Sequence, residues 1–277
     1  MSTIAPIVKI NKTILGTIRE LYAVTGLTPT YDTKSTLNTK YGIAQVVLPT
    51  SLPKIAYFGI GIGGRFNTDT GELTQPYPVL GTNMDLYTPI PFRCVPVGQD
   101  LTPLERNNYR MRVRRTIRGV DYFLYYLKPF TFKESIIQLT VTDPVTKLQT
   151  PYVLNYSNLS PTPPTINRAG ILTSADITEV NVSITSSLPL TGAEVVESIG
   201  VLYNGDLTHA VISEIGLYSG QDKSVGGLDG SGLPITYTEA ILAQLNVGYN
   251  FLGDSWSSVT KVANYQIVHG SGQLLAI

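Results

Sequence analysis

The glycines of residues 59–64 have the spacing of a phosphate-binding turn. Gly59-x-Gly61-x-x-Gly64 follows an apolar run, as the turn of a dinucleotide-binding fold does. Such a turn must open a helix, and an acidic residue must follow about 20 positions later. Residues 65–71 are instead rich in turn formers, and the chain contains no Gly-Lys-Ser/Thr sequence. The spacing does not predict a nucleotide site, and we expect no cofactor.

The serines and histidines that could act in hydrolysis or metal binding lack the required context. Ser231 and Ser271 lie between glycines, but neither stands in a Gly-x-Ser-x-Gly elbow. His209 and His269 are the only histidines, and neither has a partner at metal-ligand spacing. The acidic residues are scattered singly, so the acid/base pair of a cell-wall hydrolase is not evident, although distant carboxylates can meet in space. The sequence therefore predicts no catalysis and no metal.

Arginines form the one concentration of charge. On an extended strand, side-chain alternation places Arg110, Arg112 and Arg114 on one face and apolar residues on the other. Such a row can contact phosphates, pair with carboxylates of a neighbouring subunit, or form a solvated face with cross-strand partners. The candidate subunit-interface residues are Arg106, Arg110, Arg112, Arg114, Arg115 and Arg118.

Composition favours a protein that is buried against other proteins. Charged residues make up 14% of the 277 residues, against about 25% in ordinary soluble domains. The 17 tyrosines fit an interface, since tyrosine combines an apolar body with a polar tip, although a tyrosine-rich β fold explains them equally well. The 20 basic and 20 acidic residues balance, which gives no reason to expect DNA or an anionic membrane as a partner.

The N-terminal residues, the hydropathy and the cysteine content indicate the compartment in which the chain is made. The N-terminus lacks a basic region followed by an apolar core, and no window of 18 uncharged apolar residues occurs, so we expect neither a secretion signal nor a membrane span. Cys94 is the only cysteine, which excludes a disulfide framework and favours a buried thiol. We expect a soluble protein made in a reducing compartment.

Hydrophobic patterning predicts a mainly β fold. Helical spacing occurs in residues 11–24, with Asn11 as the expected cap, and in residues 237–245. Residues 118–119 predict a tight hairpin turn. We expect an antiparallel β-sandwich or barrel-like domain with long Pro/Gly-rich loops and one or two short helices. The expected strands are residues 45–48, 54–62, 109–117, 120–127, 136–142, 178–185, 197–203 and 210–218.

Loop signals divide the chain. Residues 67–93 and 156–168 are rich in proline, and residues 220–234 are rich in Gly, Ser and Asp and predict a mobile loop. We expect an N-terminal arm with a helix over residues 1–50, a main β domain over 51–218, and a C-terminal extension over 219–277.

The order of three motifs carries a resemblance. A strand at residues 52–56 leads into the glycines, residues 100–110 contain Thr-x-Leu followed by Tyr-Arg, and residues 214–218 read Glu-Ile-Gly-Leu-Tyr. This succession resembles the N-terminal, particle-attaching domain of phage tail-fibre and tail-collar proteins. Here Ile60 and Ile62 stand where that family usually has an acidic residue, and the spacing to the second motif is longer. The structural motif residues are Gly59, Gly61, Gly63, Gly64, Glu214, Gly216 and Tyr218.

The resemblance implies a structural virion protein of a tailed bacteriophage. It implies a subunit of the tail, baseplate or neck that attaches fibres or joins neighbouring components, assembled in the host bacterial cytoplasm. Partners would be copies of itself in a symmetric ring or trimer, and other tail, baseplate or neck proteins. Only 59 residues follow Tyr218, too few for a fibre shaft. The alternative is a β-sandwich module that binds carbohydrate or a host cell surface.

Glu214 is expected to be a half-buried carboxylate. It lies on a predicted strand among apolar neighbours, just before Gly216. A buried carboxylate needs a donor, and we expect one of the arginines to supply it. Its expected role is to stabilise the fold.

Overall fold

The computed structural model describes residues 2–3, 11–28, 35–43, 52–67, 74–132, 137–143, 146–153 and 178–276. These residues form four α-helices and sixteen strands. The helices are α1 (Ile14–Thr25), α2 (Leu37–Tyr41), α3 (Pro103–Arg106) and α4 (Gly192–Leu202). The strands are β1 (Ser2–Thr3), β2 (Asn11–Lys12), β3 (Lys54–Gly61), β4 (Arg65–Asn67), β5 (Thr74–Pro76), β6 (Pro89–Ile90), β7 (Arg93–Pro96), β8 (Met111–Ile117), β9 (Val120–Tyr126), β10 (Lys128–Pro129), β11 (Gln138–Thr142), β12 (Gln149–Pro151), β13 (Thr178–Thr191), β14 (Val211–Leu228), β15 (Pro234–Ser255) and β16 (Val262–Ala276).

The predicted fold class is confirmed: the protein is mainly β, with antiparallel sheets. The hairpin at Arg118 and Gly119 is also confirmed, because both residues have positive φ, as a type I′ turn requires, and join β8 to β9. The N-terminal helix is present, but its cap is Thr13, whose side chain accepts the N–H of Gly16, and not Asn11.

Three element predictions are wrong. Residues 237–245 form part of β15 and not a helix. Residues 239–245 are buried on both faces of the strand, so the helical spacing of the apolar residues does not mark a single buried face. Residues 197–203 lie in and just after α4, which begins with a capping box formed by Thr191 and Glu194. Residues 220–234 form the ends of β14 and β15 and a short turn, not a mobile loop. Residues 45–48 and 156–168 lie outside the described residues.

The chain divides into two compact units. The first contains residues 1–4, 9–130 and 188–265, and the second contains residues 5–8, 131–187 and 266–277. These units cut across the expected boundaries at residues 50 and 218. In the second unit, β11 pairs antiparallel with both β12 and β13.

Two antiparallel sheets dominate the first unit. The larger has the strand order β10-β3-β14-β15-β2, with β6 also on β3, and the smaller has the order β7-β9-β8. Side chains of both sheets meet in one core with Leu37 of α2. The core residues include Tyr57, Cys94, Met111, Val113, Leu124, Leu127, Tyr218, Ala240, Ala243 and Leu245.

Side chains of α2 fix β15 where its backbone is irregular. Leu242 has a positive φ of 55°, which interrupts regular strand geometry. The side-chain amide of Asn38 donates to the carbonyl of Ala240 at 2.8 Å and accepts the N–H of Ala243 at 3.0 Å. Asn38 thus replaces the neighbouring strand at this point, so the backbone groups stay paired.

Candidate functional site

The two glycine-containing motifs lie side by side on neighbouring strands. β3 pairs antiparallel with β14, so that Gly61 lies opposite Glu214 and Gly59 lies opposite Gly216. The motifs are far apart in sequence, yet the sheet makes them one unit. We call this unit, with residues 62–64 and 85–88, the junction.

The carboxylate of Glu214 is fully buried and holds the junction together. Its Oε2 accepts the backbone N–H of Gly63 at 2.8 Å and that of Thr88 at 2.9 Å, and its Oε1 accepts the N–H of Tyr87 at 2.7 Å. The expectation of an arginine partner is therefore wrong, because main-chain donors satisfy this carboxylate. One side chain joins β14 to two separate segments of the chain.

Burial and hydrogen bonding act in opposite directions on Glu214. Burial raises the pKa of the Glu214 carboxyl above its ordinary value, and the nearby charge of Asp85 adds to that rise. The three N–H donors oppose the rise because they stabilise the charged form.

Close packing explains why glycines occupy the turn after β3. A Cβ on Gly61 would lie 2.4 Å from Oε2 of Glu214, and a Cβ on Gly64 would lie 2.2 Å from the backbone oxygen of Ser213. A Cβ on Gly63 would lie 2.4 Å from Oγ1 of Thr88. The φ angles of the three glycines are not in the left-handed region. Their role is to let two backbones and a carboxylate approach one another.

Tyr218 closes the other end of the junction. Its ring lies against the positions of Gly59 and Gly216, where a Cβ would come within 3.1 Å and 2.8 Å of the ring carbon Cε2. Its hydroxyl donates to Oδ1 of Asp85 at 2.6 Å, and Lys40 pairs with the other oxygen of Asp85. Burial, together with Asp85, raises the pKa of Tyr218. A cavity beside this cluster has room for about one water molecule, so it is not a ligand pocket.

Buried arginines are paired within the chain. Asp100 accepts hydrogen bonds from Arg106 at 2.7 Å, from Arg112 at 2.9 Å, and from the hydroxyl of Tyr125. The Arg112 guanidinium also lies 4.2 Å from the ring centre of Phe123. Arg106 and Arg112 are therefore parts of the fold, and their place in a subunit interface stays a prediction.

The other predicted arginines differ in exposure and contacts. Arg110 pairs with Asp222 at 3.0 Å, and exposed Arg114 pairs with Asp121. The Arg118 guanidinium donates to the carbonyl oxygens at the end of α4. Arg115 is exposed on β8. Burial raises the pKa of Tyr41 and of Tyr126, and the charge of Arg115 opposes part of that rise. The part of these arginines in a subunit interface stays a prediction, and Arg114, Arg115 and Arg118 are the exposed members.

Glu239, which the sequence analysis did not single out, lies beside the buried arginines. Its carboxylate accepts the backbone N–H of Arg112 at 3.4 Å, a long hydrogen bond. Burial raises the pKa of Glu239 from 4.5 to about 7. The signal for such a residue is a glutamate directly before the apolar residues 240–243, in a segment that forms a buried strand.

The catalytic and metal candidates whose side chains the structure describes, His209 and Ser231, have separate surroundings. His209 stacks on Tyr203 and lies 3.6 Å from Asp206, and the backbone of Ser231 donates to Asp229 in the β14–β15 turn. The side chains of His269 and Ser271 lie outside the described residues. Within the part of the chain that the structure describes, no cluster of three metal-ligating side chains occurs, and no helix is long and apolar enough to cross a membrane.

The fold and the junction define a mainly β protein in which one buried carboxylate fastens two segments to a central strand. The chain belongs to DUF7208, a family of unknown function, whose model matches residues 2–267. No curated protein matches the chain, and no solved structure does.

Proposed function

We propose that the protein is a non-catalytic structural subunit of a tailed-phage particle. It attaches fibres or joins neighbouring components of the tail, baseplate or neck, and its localisation is the virion, assembled in the bacterial cytoplasm. The observation that carries this proposal is the junction. Two of the three motifs of the resemblance are hydrogen-bonded neighbours, and Glu214 joins them.

The physical character of the junction supports an assembly role. A subunit that bears mechanical force needs loops that are held to its sheets. The hydrogen bonds of Glu214 hold residues 63, 87 and 88, which lie outside regular secondary structure. Exposed Arg114 and Arg115 on β8 offer guanidinium groups to carboxylates of a neighbour. The proposed partners are copies of the same chain in a ring or trimer and other tail, baseplate or neck proteins.

Reconstitution tests the proposal. The purified chain is mixed with tail, neck and baseplate particles that lack it, and binding is followed by sedimentation and negative-stain microscopy. We expect stoichiometric binding that Arg114→Glu/Arg115→Glu weakens. Lys54→Glu, which changes an exposed charge on β3, serves as the control and leaves binding intact. A chain that binds none of these particles, with its fold verified by circular dichroism, contradicts the proposal.

Exposed aromatic rings favour a second candidate function, carbohydrate binding. The rings of Phe66 and Tyr77 lie 4.7 Å apart, those of Tyr77 and Tyr87 lie 5.8 Å apart, and all three are partly exposed. The three rings present apolar faces, and the two tyrosines add polar hydroxyl tips. A glycan array separates the two functions, because specific binding at micromolar affinity that Tyr77→Ala abolishes supports the carbohydrate module.

A further inference from the structure

The sheet of β7, β9 and β8 has two edge strands, β7 and β8. An edge strand presents N–H and C=O groups that no neighbouring strand pairs. At β7, the carboxylate of Glu197 on α4 accepts the backbone N–H of Cys94 at 2.9 Å. At β8, the carboxylate of Glu239 on β15 accepts the N–H of Arg112, near the start of the strand. Carboxylates thus accept hydrogen bonds from both edges of the sheet.

The rest of the β8 edge is uncovered. Ile117 and Val120 flank the two-residue turn, so they exchange hydrogen bonds, and bonded pairs recur at every second residue of the hairpin. The N–H and C=O groups of Arg112, Arg114 and Thr116 therefore point away from β9. Arg114 and Thr116 are exposed, and no described residue forms a hydrogen bond with their outward backbone groups. We call the segment 114–116 the β8 edge.

The β8 edge is basic. Three exposed arginines lie on or beside it, Arg114, Arg115 and Arg118. Arg114 pairs with Asp121, the only acidic residue of the hairpin, whereas Arg118 donates to backbone carbonyl oxygens. Within the described part of the chain, Arg115 forms no ion pair with a carboxylate. The hairpin therefore retains positive charge that its own carboxylate does not neutralise.

We propose that the β8 edge binds an extended, acidic segment of another protein, which adds to the sheet as a strand beside β8. The outward N–H and C=O groups of Arg114 and Thr116 bond to the backbone of that segment, and a carboxylate opposite Arg115 pairs with its guanidinium. In such strand addition, main-chain hydrogen bonds supply affinity and side chains supply specificity. The inference rests on the proposed function for the place of this partner among the other tail, baseplate or neck proteins.

Charge disfavours a second copy of the chain as the occupant. The edge strands of the described sheets contain neither Asp nor Glu; they are β1, β2, β4, β5, β6, β7, β8, β10 and β12. Pairing of β8 with β8 of a second copy would bring arginines opposite arginines, and like charges directly opposite one another destabilise a strand pair. The basic edge therefore opposes pairing between identical subunits and favours a segment of opposite charge.

Peptide binding tests the inference without any phage component. The probe is a short fluorescein-labelled peptide of alternating threonine and valine with a glutamate at its centre, and fluorescence anisotropy follows its binding to the full chain. Saturable binding is expected. A peptide with lysine in place of the glutamate is expected to bind about five-fold more weakly. The glutamate peptide with N-methyl groups along its backbone keeps its charge but cannot donate to a strand, so it is expected to lose saturable binding.

A charge exchange locates the contact at Arg115. Arg115→Glu is expected to bind the glutamate peptide about five-fold more weakly and the lysine peptide about five-fold more tightly than the natural chain does. Lys54→Glu changes an exposed charge on β3 and is expected to leave both affinities unchanged. Circular dichroism verifies the fold of both variants. If the two variants shift the affinities alike, net charge and not the β8 edge is responsible, and the inference is overturned.

Amide hydrogen exchange measures the geometry of the contact directly. The glutamate peptide at saturation is expected to slow the exchange of the Arg114 and Thr116 amides, which point outward. The amide of Arg115 points toward β9 and already lies in a bonded pair, so its exchange rate is expected to change little. A natural chain that does not bind the glutamate peptide, equal binding of the N-methylated peptide, or unchanged exchange at Arg114 and Thr116 overturns the inference.

The outcomes distinguish this inference from the proposed function. A chain that binds the glutamate peptide at the β8 edge but binds no tail component retains strand addition and contradicts the phage role. A chain that binds tail components but not the peptide retains the phage role and contradicts the inference.

Discussion

Glu214 on β14 and Glu239 on β15 are both buried glutamates, but their surroundings satisfy them differently. Three short N–H bonds from two segments of the chain converge on Glu214. Glu239 receives one N–H bond of 3.4 Å from Arg112, whose guanidinium is engaged with Asp100. The first carboxylate holds separate segments of backbone together, whereas only one weak hydrogen bond compensates the burial of the second.

The difference shows that burial alone does not reveal what a carboxylate does. Burial raises the pKa of both side chains, but only at Glu214 do several donors oppose that rise. At Glu214 the N–H donors offset part of what burial of the charged form costs. A carboxylate with one weak donor favours the protonated form and makes stability depend on pH.

Removing the Glu214 carboxylate is expected to have the largest effect. Glu214→Leu leaves three buried N–H groups without acceptors, at about 1–3 kcal/mol each, so the free energy of unfolding should fall by about 5 kcal/mol. Glu214→Gln retains one acceptor oxygen and should lose less. Urea denaturation of both variants measures the difference. Equal losses would mean that shape, not hydrogen bonding, is what Glu214 provides.

Glu239 is expected to make the free energy of unfolding depend on pH. Its pKa of about 7 means that the native state retains a proton that the unfolded chain releases above 4.5. Stability from this group is therefore complete at low pH and is lost as pH rises through 7, by up to about 3 kcal/mol. Glu239→Gln removes this loss, so its stability relative to the natural chain should increase from pH 5 to pH 8. Parallel pH profiles of the two proteins would contradict the assignment.

Close packing at the junction is expected to have a moderate effect. Gly64→Ala forces a Cβ against the backbone oxygen of Ser213 and should cost about 2 kcal/mol. Gly98→Ala is the matched control, since a Cβ there meets no atom within 4 Å. Thermal unfolding should separate the two alanine variants clearly. If both variants unfold at the same temperature, the junction has room to adjust.

Exposed charge pairs should matter least. Arg114→Gln breaks the pair with Asp121 on the surface hairpin of β8 and β9. Because solvent screens such pairs, the unfolding midpoint should stay within experimental error. Arg112→Gln should lower it markedly, because Asp100 is buried beneath that arginine. Similar midpoints for the two variants would remove the distinction between the buried and exposed arginines.

Local patterns predicted the strands and their faces well. Alternation placed Met111 and Val113 opposite the arginines, and both are buried. These features depend on residues that are near one another in sequence, which a single chain reveals.

Features set by distant residues were not predictable. The donors from Tyr87 and Thr88 lie 127 and 126 residues from Glu214, and no local signal indicates that they meet. Residues 237–245 have helical spacing, but they are held as a strand by β14 on one side and by the side chains of Asn38 and Thr13 on the other. Helix α4 was predictable from its Thr191-x-x-Glu194 capping box, which the β-rich surroundings concealed.

The three amides that reach Glu214 have a consequence for the exchange of hydrogen with solvent. Gly63, Tyr87 and Thr88 lie outside regular strands, where amide hydrogens usually exchange within minutes. Here each amide exchanges only when β14 separates from its neighbours, so these loop amides should have the same slow rate as the centre of the sheet. The slowest amide hydrogen exchange in the molecule would then occur in these irregular segments as well as at the centre of the sheet.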